Sequence, residues 1–168
     1  MRIAFLFILS SFPLFAYSAR ANYSLFDPSQ AEPLKPELRR FFGPQSGQFK
    51  YDKRMVRAAE LAAERAYASS HYSCWRYVKE ALLEAKIIDS YPKTRFAREA
   101  GHELQVSYGF RKLLLTDPYK APPGAIIVYG GPGPGHVEFR CKTGFVSDFL
   151  SPKPSNRPLI GIYVKPRS

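Results

Sequence analysis

Cys74, His136, Glu138 and Asp148 are the residues whose types and order could do chemistry: a thiol, an imidazole and two carboxylates in one short chain. A weak nucleophile needs a base beside it, and the base needs a partner that orients it. Cys74 lies in Ser73-Cys74-Trp75-Arg76-Tyr77-Val78, where Trp75, Val78 and Leu82 recur at helical spacing and Ser69, Ser70 and Ser73 offer N-caps. The thiol is therefore expected at a helix start, where the positive end of the dipole favours the thiolate that attacks carbonyl carbon. A free cysteine taken alone is more often a small buried hydrophobe. The case for chemistry rests on the histidine segment downstream.

That segment, GAIIVYGGPGPGHVEFRCKTGFVSDF, gives a strand, a Gly and Pro loop, a second strand opened by His136, a tight turn, and a third strand carrying Asp148. If Lys142-Thr143-Gly144 is a three-residue hairpin loop, Cys141 pairs with Phe145 and Glu138 with Asp148. His136, Glu138 and Asp148 then share one face, with Asp148 diagonal to the imidazole and Glu138 its same-strand neighbour. A two-residue Thr143-Gly144 turn would instead send Asp148 to the far face. A lone histidine opening a strand is commonly a solvated edge residue, and strand carboxylates are commonly a wet face. Together with Cys74 they complete a generalised Cys, His and carboxylate triad.

Other readings of these residues are weaker. Tyr72 and Trp75, beside the cysteine, read first as packing residues and second as walls of a substrate groove. His71 and His102 show no metal-ligand spacing to Cys74 or His136, and His136-Val137-Glu138 lacks the P-C-x-x-C half of a zinc deaminase. Gly130 to Gly135 lacks dinucleotide-loop spacing and leads into a strand, so it reads as a lip beside the site. No metal or cofactor is called for.

The elements that must position these groups are legible in outline. Residues 53–69 carry Val56, Ala59, Ala63 and Ala66 at helical spacing, 73–86 form the helix bearing Cys74, and 95–106 a third helix. Residues 125–129, 137–141, 145–149 and 159–164 are apolar or alternating runs bounded by Pro and Gly, which predicts strands. Helices followed by strands imply an α+β domain with N-terminal helices packed on a small antiparallel sheet.

Arg2 followed by an apolar run interrupted at Pro13, then small residues, reads as a signal peptide over residues 1–21, too short to span a bilayer. Residues 22–49, rich in Pro, Ser, Gly and Gln, read as a partly irregular arm, leaving 50–168 as the domain. Export places the product in the periplasm or outside the cell, with no transmembrane segment after cleavage. The formal charge of +11 falls to +9 without Arg2 and Arg20, which implies an acidic partner. For an exported chain the candidates are acidic cell-wall polymers, anionic lipid headgroups and extracellular nucleic acid. Nucleic acid is unlikely, because the cations are spread along the chain without a binding signature. An oxidising compartment also permits a Cys74–Cys141 disulfide. That bridge would consume the nucleophile and make the chain a non-catalytic cationic envelope-binding protein.

Cys74 at a helix start, the Gly124 strand opening in PPGAIIVY, Gly135-His136-Val137, and a polar residue twelve positions after the histidine together resemble the NlpC and CHAP class of papain-like bacterial cell-wall hydrolases. Phe145-Val146-Ser147-Asp148-Phe149 with the closing Ile162-Tyr163 strand is similar to a small exported branch of that class. The resemblance covers residues 70–165. It implies a papain-like fold and cysteine amidase or endopeptidase activity on the peptide part of peptidoglycan, with Cys74 as nucleophile, His136 as base and Asp148 as third residue. An inhibitor protein is a further candidate partner. Two departures stand out: Ala125 replaces the Asp many relatives carry after the glycine, and Ser73-Cys74-Trp75-Arg76 replaces the Asp-Cys-Ser-Gly signature. Glu138 is an unusual acid so near the base, able to orient His136 in place of Asp148 or to bind a cationic part of the substrate.

Overall fold

Alanines spaced along the first helix set how the fold begins. A computed structural model describes residues 51–167, so the expected signal peptide and arm lie outside the described residues. Helix α1, Arg54–Glu64, buries Met55, Ala58, Ala59 and Ala62. These mostly small residues let it lie close against α2, Cys74–Glu84, which buries Trp75, Val78, Ala81 and Leu82. The first helix stops short of the expected residue 69. Tyr67 is drawn into a bridge with Phe149, its N–H donating to the Asp148 carbonyl at 2.8 Å, and this tertiary pairing overrides local helix propensity. The third helix is a 3₁₀ turn, Ala97–Glu99, running into α3, Ala100–Tyr108, which ends on left-handed Gly109 (φ 66°).

Six antiparallel strands follow: β1 Arg111–Leu113, β2 Ile126–Tyr129, β3 His136–Cys141, β4 Gly144–Val146, β5 Leu150–Ser151 and β6 Leu159–Val164. Their order in the sheet is β1-β6-β2-β3-β4-β5. The α+β expectation and the four expected strand regions stand, while β1 and β5 are additional and the expected 145–149 strand breaks after Val146. Strand β2 is buried on both faces. Ile126 and Val128 join the core under α1 and α2, whereas Ile127 and Tyr129 join a second cluster with Phe145, Ile162 and Val164. Double burial explains why β2 reads as an unbroken apolar run.

The β3–β4 hairpin corrects the expected register. Cys141 pairs with Gly144, Arg140 with Phe145 and Phe139 with Val146, closing a two-residue Lys142-Thr143 loop. Continuing this pairing sets Asp148 level with Val137, a residue of the helix-facing core, instead of with Glu138. A slip of one residue reverses the face. Asp148 is thus delivered toward the start of α2 and away from the face shared by His136 and Glu138.

Candidate functional site

Cys74 is the first residue of α2, directly after Ser73 (φ −120°, ψ 20°), so its own N–H is one of those an α-helix leaves without an internal partner. None of the offered serines caps the helix through its side chain; Ser73 Oγ donates to the His71 carbonyl at 3.2 Å. The approach is organised by Asp148, which is fully buried. Its Oδ2 accepts from the His71 N–H at 2.7 Å, the Ser73 N–H at 3.0 Å and Ser70 Oγ at 3.4 Å, and its Oδ1 accepts from Ser147 Oγ at 3.1 Å. Burial alone would raise this carboxyl, but the Ser73 and His71 amides and the Ser147 hydroxyl win and hold it below the usual carboxylate range. Between these anchors Tyr72 is left-handed (φ 56°) and 98% exposed, a strained conformation that the bracketing bonds hold in place.

His136 opens β3 opposite Tyr129, the last residue of β2. Gly135 before it must be glycine: φ is 77°, and a Cβ there would sit 2.5 Å from the Tyr129 carbonyl oxygen and 2.8 Å from Arg98 Cβ. Arg98 also fixes the preceding loop, its N–H on the Pro134 carbonyl at 3.0 Å and its guanidinium on Gly133 at 2.8 Å. His136 Nε2 lies 3.3 Å from Glu138 Oε2. Glu138 Oε1 in turn accepts from Tyr129 Oη at 2.7 Å and from the Ser155 N–H at 3.2 Å. Tyr129 and Glu138 are diagonal cross-strand neighbours, which is why the phenol reaches the carboxylate. Burial and the adjacent Glu138 keep the Tyr129 hydroxyl protonated, a permanent donor.

Burial disfavours a charged His136 ring, but the hydrogen bonds that ring makes to Cys74 and Glu138 overcome it and raise the group from 6.5 to about 9. With Nε2 turned to Glu138, Nδ1 is the nitrogen left to exchange a proton with the thiol. Cys74, His136, Glu138, Tyr72 and Phe149 line one groove of about 630 Å³, whose far wall is the strap Ser151–Arg157.

The structure thus brings Cys74, His136, Glu138 and Tyr72 together, and places two expected residues elsewhere. Asp148 spends Oδ2 on the turn before α2 and Oδ1 on the Ser147 hydroxyl. Trp75 is buried outside the groove, its indole N–H donating to Thr94 Oγ1 at 3.1 Å and to the Thr94 carbonyl at 3.2 Å. Cys141 is a free thiol, as is Cys74, so the expected alternative of a disulfide between them is not formed. Cys141 sits in a separate small cleft with Val56, Ala59 and Ala63. His71 and His102 are both exposed, and among the described residues no group of three or more His, Cys, Asp or Glu is placed to hold a metal. Two participants escaped the sequence reading. Tyr129 looked like a core strand residue, and Ser155 lay in a Pro- and Ser-rich stretch resembling a plain linker.

The fold and groove define an α+β domain with a helix-start cysteine facing a strand-start histidine. No protein-family model matches the chain, and no curated protein matches it. Among solved structures, the chain is similar in fold to a chain of the type VI native effector-immunity complex Tae3-Tai3 from Ralstonia pickettii. The TM-score is 0.53 and the identity 24%, spanning 67% of this chain and 98% of that one. The selenomethionine form of the same complex matches at TM-score 0.50 and 26% identity, over 65% and 97% of the two chains.

Proposed function

We propose that this chain is an exported, papain-like cysteine hydrolase that cleaves amide bonds in the peptide part of peptidoglycan, using Cys74, His136 and Glu138. The observation that carries the reading is the continuous chain from the helix-start thiol through His136 to the buried Glu138, at the floor of an open groove. The thiolate of Cys74 attacks the amide carbonyl carbon. The carbonyl electron pair moves to oxygen, where the Cys74 backbone N–H donates to it, a contact worth about a hundredfold in rate in such sites. The C–N bond then breaks as His136 Nδ1 delivers its proton to the departing amine, leaving a thioester. His136 next takes a proton from water, whose oxygen attacks the thioester carbon, releasing a carboxylic acid and restoring the thiol. Glu138 holds the ring and stabilises its charged form, while Asp148 builds the turn that presents Cys74.

The fold shared with a chain of an effector-immunity complex supports an inhibitor protein as a partner of this chain. The net charge supports an acidic polymer as substrate. Cys74→Ala should abolish amide cleavage with the fold intact, and Cys141→Ser should keep most activity. Amide cleavage that survives in Cys74→Ala would overturn the assignment of the nucleophile.

A further inference from the structure

The strap Ser151–Arg157 is built as a fixed wall. Pro152 and Pro154 restrict its backbone, and Ser151 Oγ donates to the Lys153 carbonyl at 2.6 Å. The Ser155 N–H is held by Glu138, and Arg157 Nη1 donates to the Pro132 carbonyl at 2.9 Å, tying the strap to the loop before His136. The charge this wall offers is one-sided. Glu138 is the one acidic residue lining the groove among the described residues, it is 3% exposed, and both its oxygens are already engaged. Lys153 and Arg157 line the same groove and are exposed. The Lys153 ammonium has no hydrogen-bond or ion-pair partner among the described residues.

We propose that Lys153 on this preorganised strap is a specificity residue that selects peptides carrying a free carboxylate near the amide to be cut. The inference rests on the hydrolase reading and names its substrate class. An ammonium facing a groove whose one carboxylate is already engaged favours an anionic ligand group and repels a cationic one, so it discriminates by charge. Holding its backbone in a proline-flanked turn reduces the ordering required when substrate arrives.

The test uses paired synthetic wall peptides in which each free carboxylate is replaced, one at a time, by the carboxamide. Wild-type protein should prefer one carboxylate form about tenfold in kcat/KM, mainly through KM. Lys153→Met should remove that preference and leave cleavage of the matched carboxamide unchanged. Lys153→Arg should restore most of it. Calorimetric binding of the same pairs to the Cys74→Ala protein, with and without Lys153→Met, reads the preference without turnover. Loss of turnover with the binding preference intact therefore condemns the hydrolase reading alone. Carboxylate and carboxamide bound equally, or weakened equally by Lys153→Met, would overturn the proposal.

Discussion

At the scale of single residues, the two carboxylates near the base separate into two jobs that differ in how they titrate. Glu138 supports a positive charge on His136, whose raised titration point means the imidazolium persists through neutral pH. Because the folded value lies above the unfolded one of about 6.5, the stabilisation from the charged ring is fully present below that pH and lost as pH rises through about 9. Activity that requires the imidazolium as proton donor should fall over the same alkaline limb. Glu138→Gln should lower turnover about a hundredfold and move that limb to lower pH, read from a kcat pH profile, and should lower the melting temperature at neutral pH by a few degrees as the charged ring loses its partner. Asp148 has the opposite sign. Its folded value is depressed, so its contribution is present above the ordinary carboxylate range and lost as pH falls below it. Asp148→Ala leaves the amides of His71 and Ser73 unpaired and should destabilise by on the order of 3 kcal/mol in urea titrations, without moving the alkaline limb. If Asp148→Ala shifts that limb and Glu138→Gln does not, the roles are reversed.

At the scale of elements, the helix bearing Cys74 and the strand opened by His136 were readable because periodicity and Gly punctuation are local signals. The boundary errors have physical sources. The first helix ends early because Tyr67 pairs with Phe149, a contact 82 residues away that no local pattern carries. Strand β1, three residues in the run Arg111-Lys112-Leu113, exists because β6 offers an edge at Ile162 to Val164. The β3–β4 hairpin decides which carboxylate meets the base. Gly144 suits either a loop or a strand end, and choosing the loop shifted the register by one and turned Asp148 toward His136. The strap was illegible for the same reason as β1, since its role depends on Glu138 standing opposite. Gly135 tests how tightly the elements are joined. Gly135→Ala forces a Cβ against the Tyr129 carbonyl and Arg98 at a positive φ. The variant should lower turnover at least tenfold, with a melting temperature several degrees below wild type. Wild-type kinetics would mean His136 is not positioned by that joint.

At the scale of the whole molecule, the described domain is a two-faced sheet with helices on one side and a groove where α2, β3 and the strap meet. No helix among the described residues is long and apolar enough to cross a membrane. The excess positive charge suits attachment to an acidic wall, and the groove suits a peptide with its own carboxylates. Hydrolysis of wall amide bonds by Cys74 is read out by incubating purified peptidoglycan with the protein and weighing the released fragments by mass spectrometry. The expected result is fragments that have gained one water across a peptide amide, exposing a new amine and a new carboxylate, and no such fragments with Cys74→Ala. Intact peptidoglycan after incubation with folded wild-type protein, or the same fragments from Cys74→Ala, would contradict it.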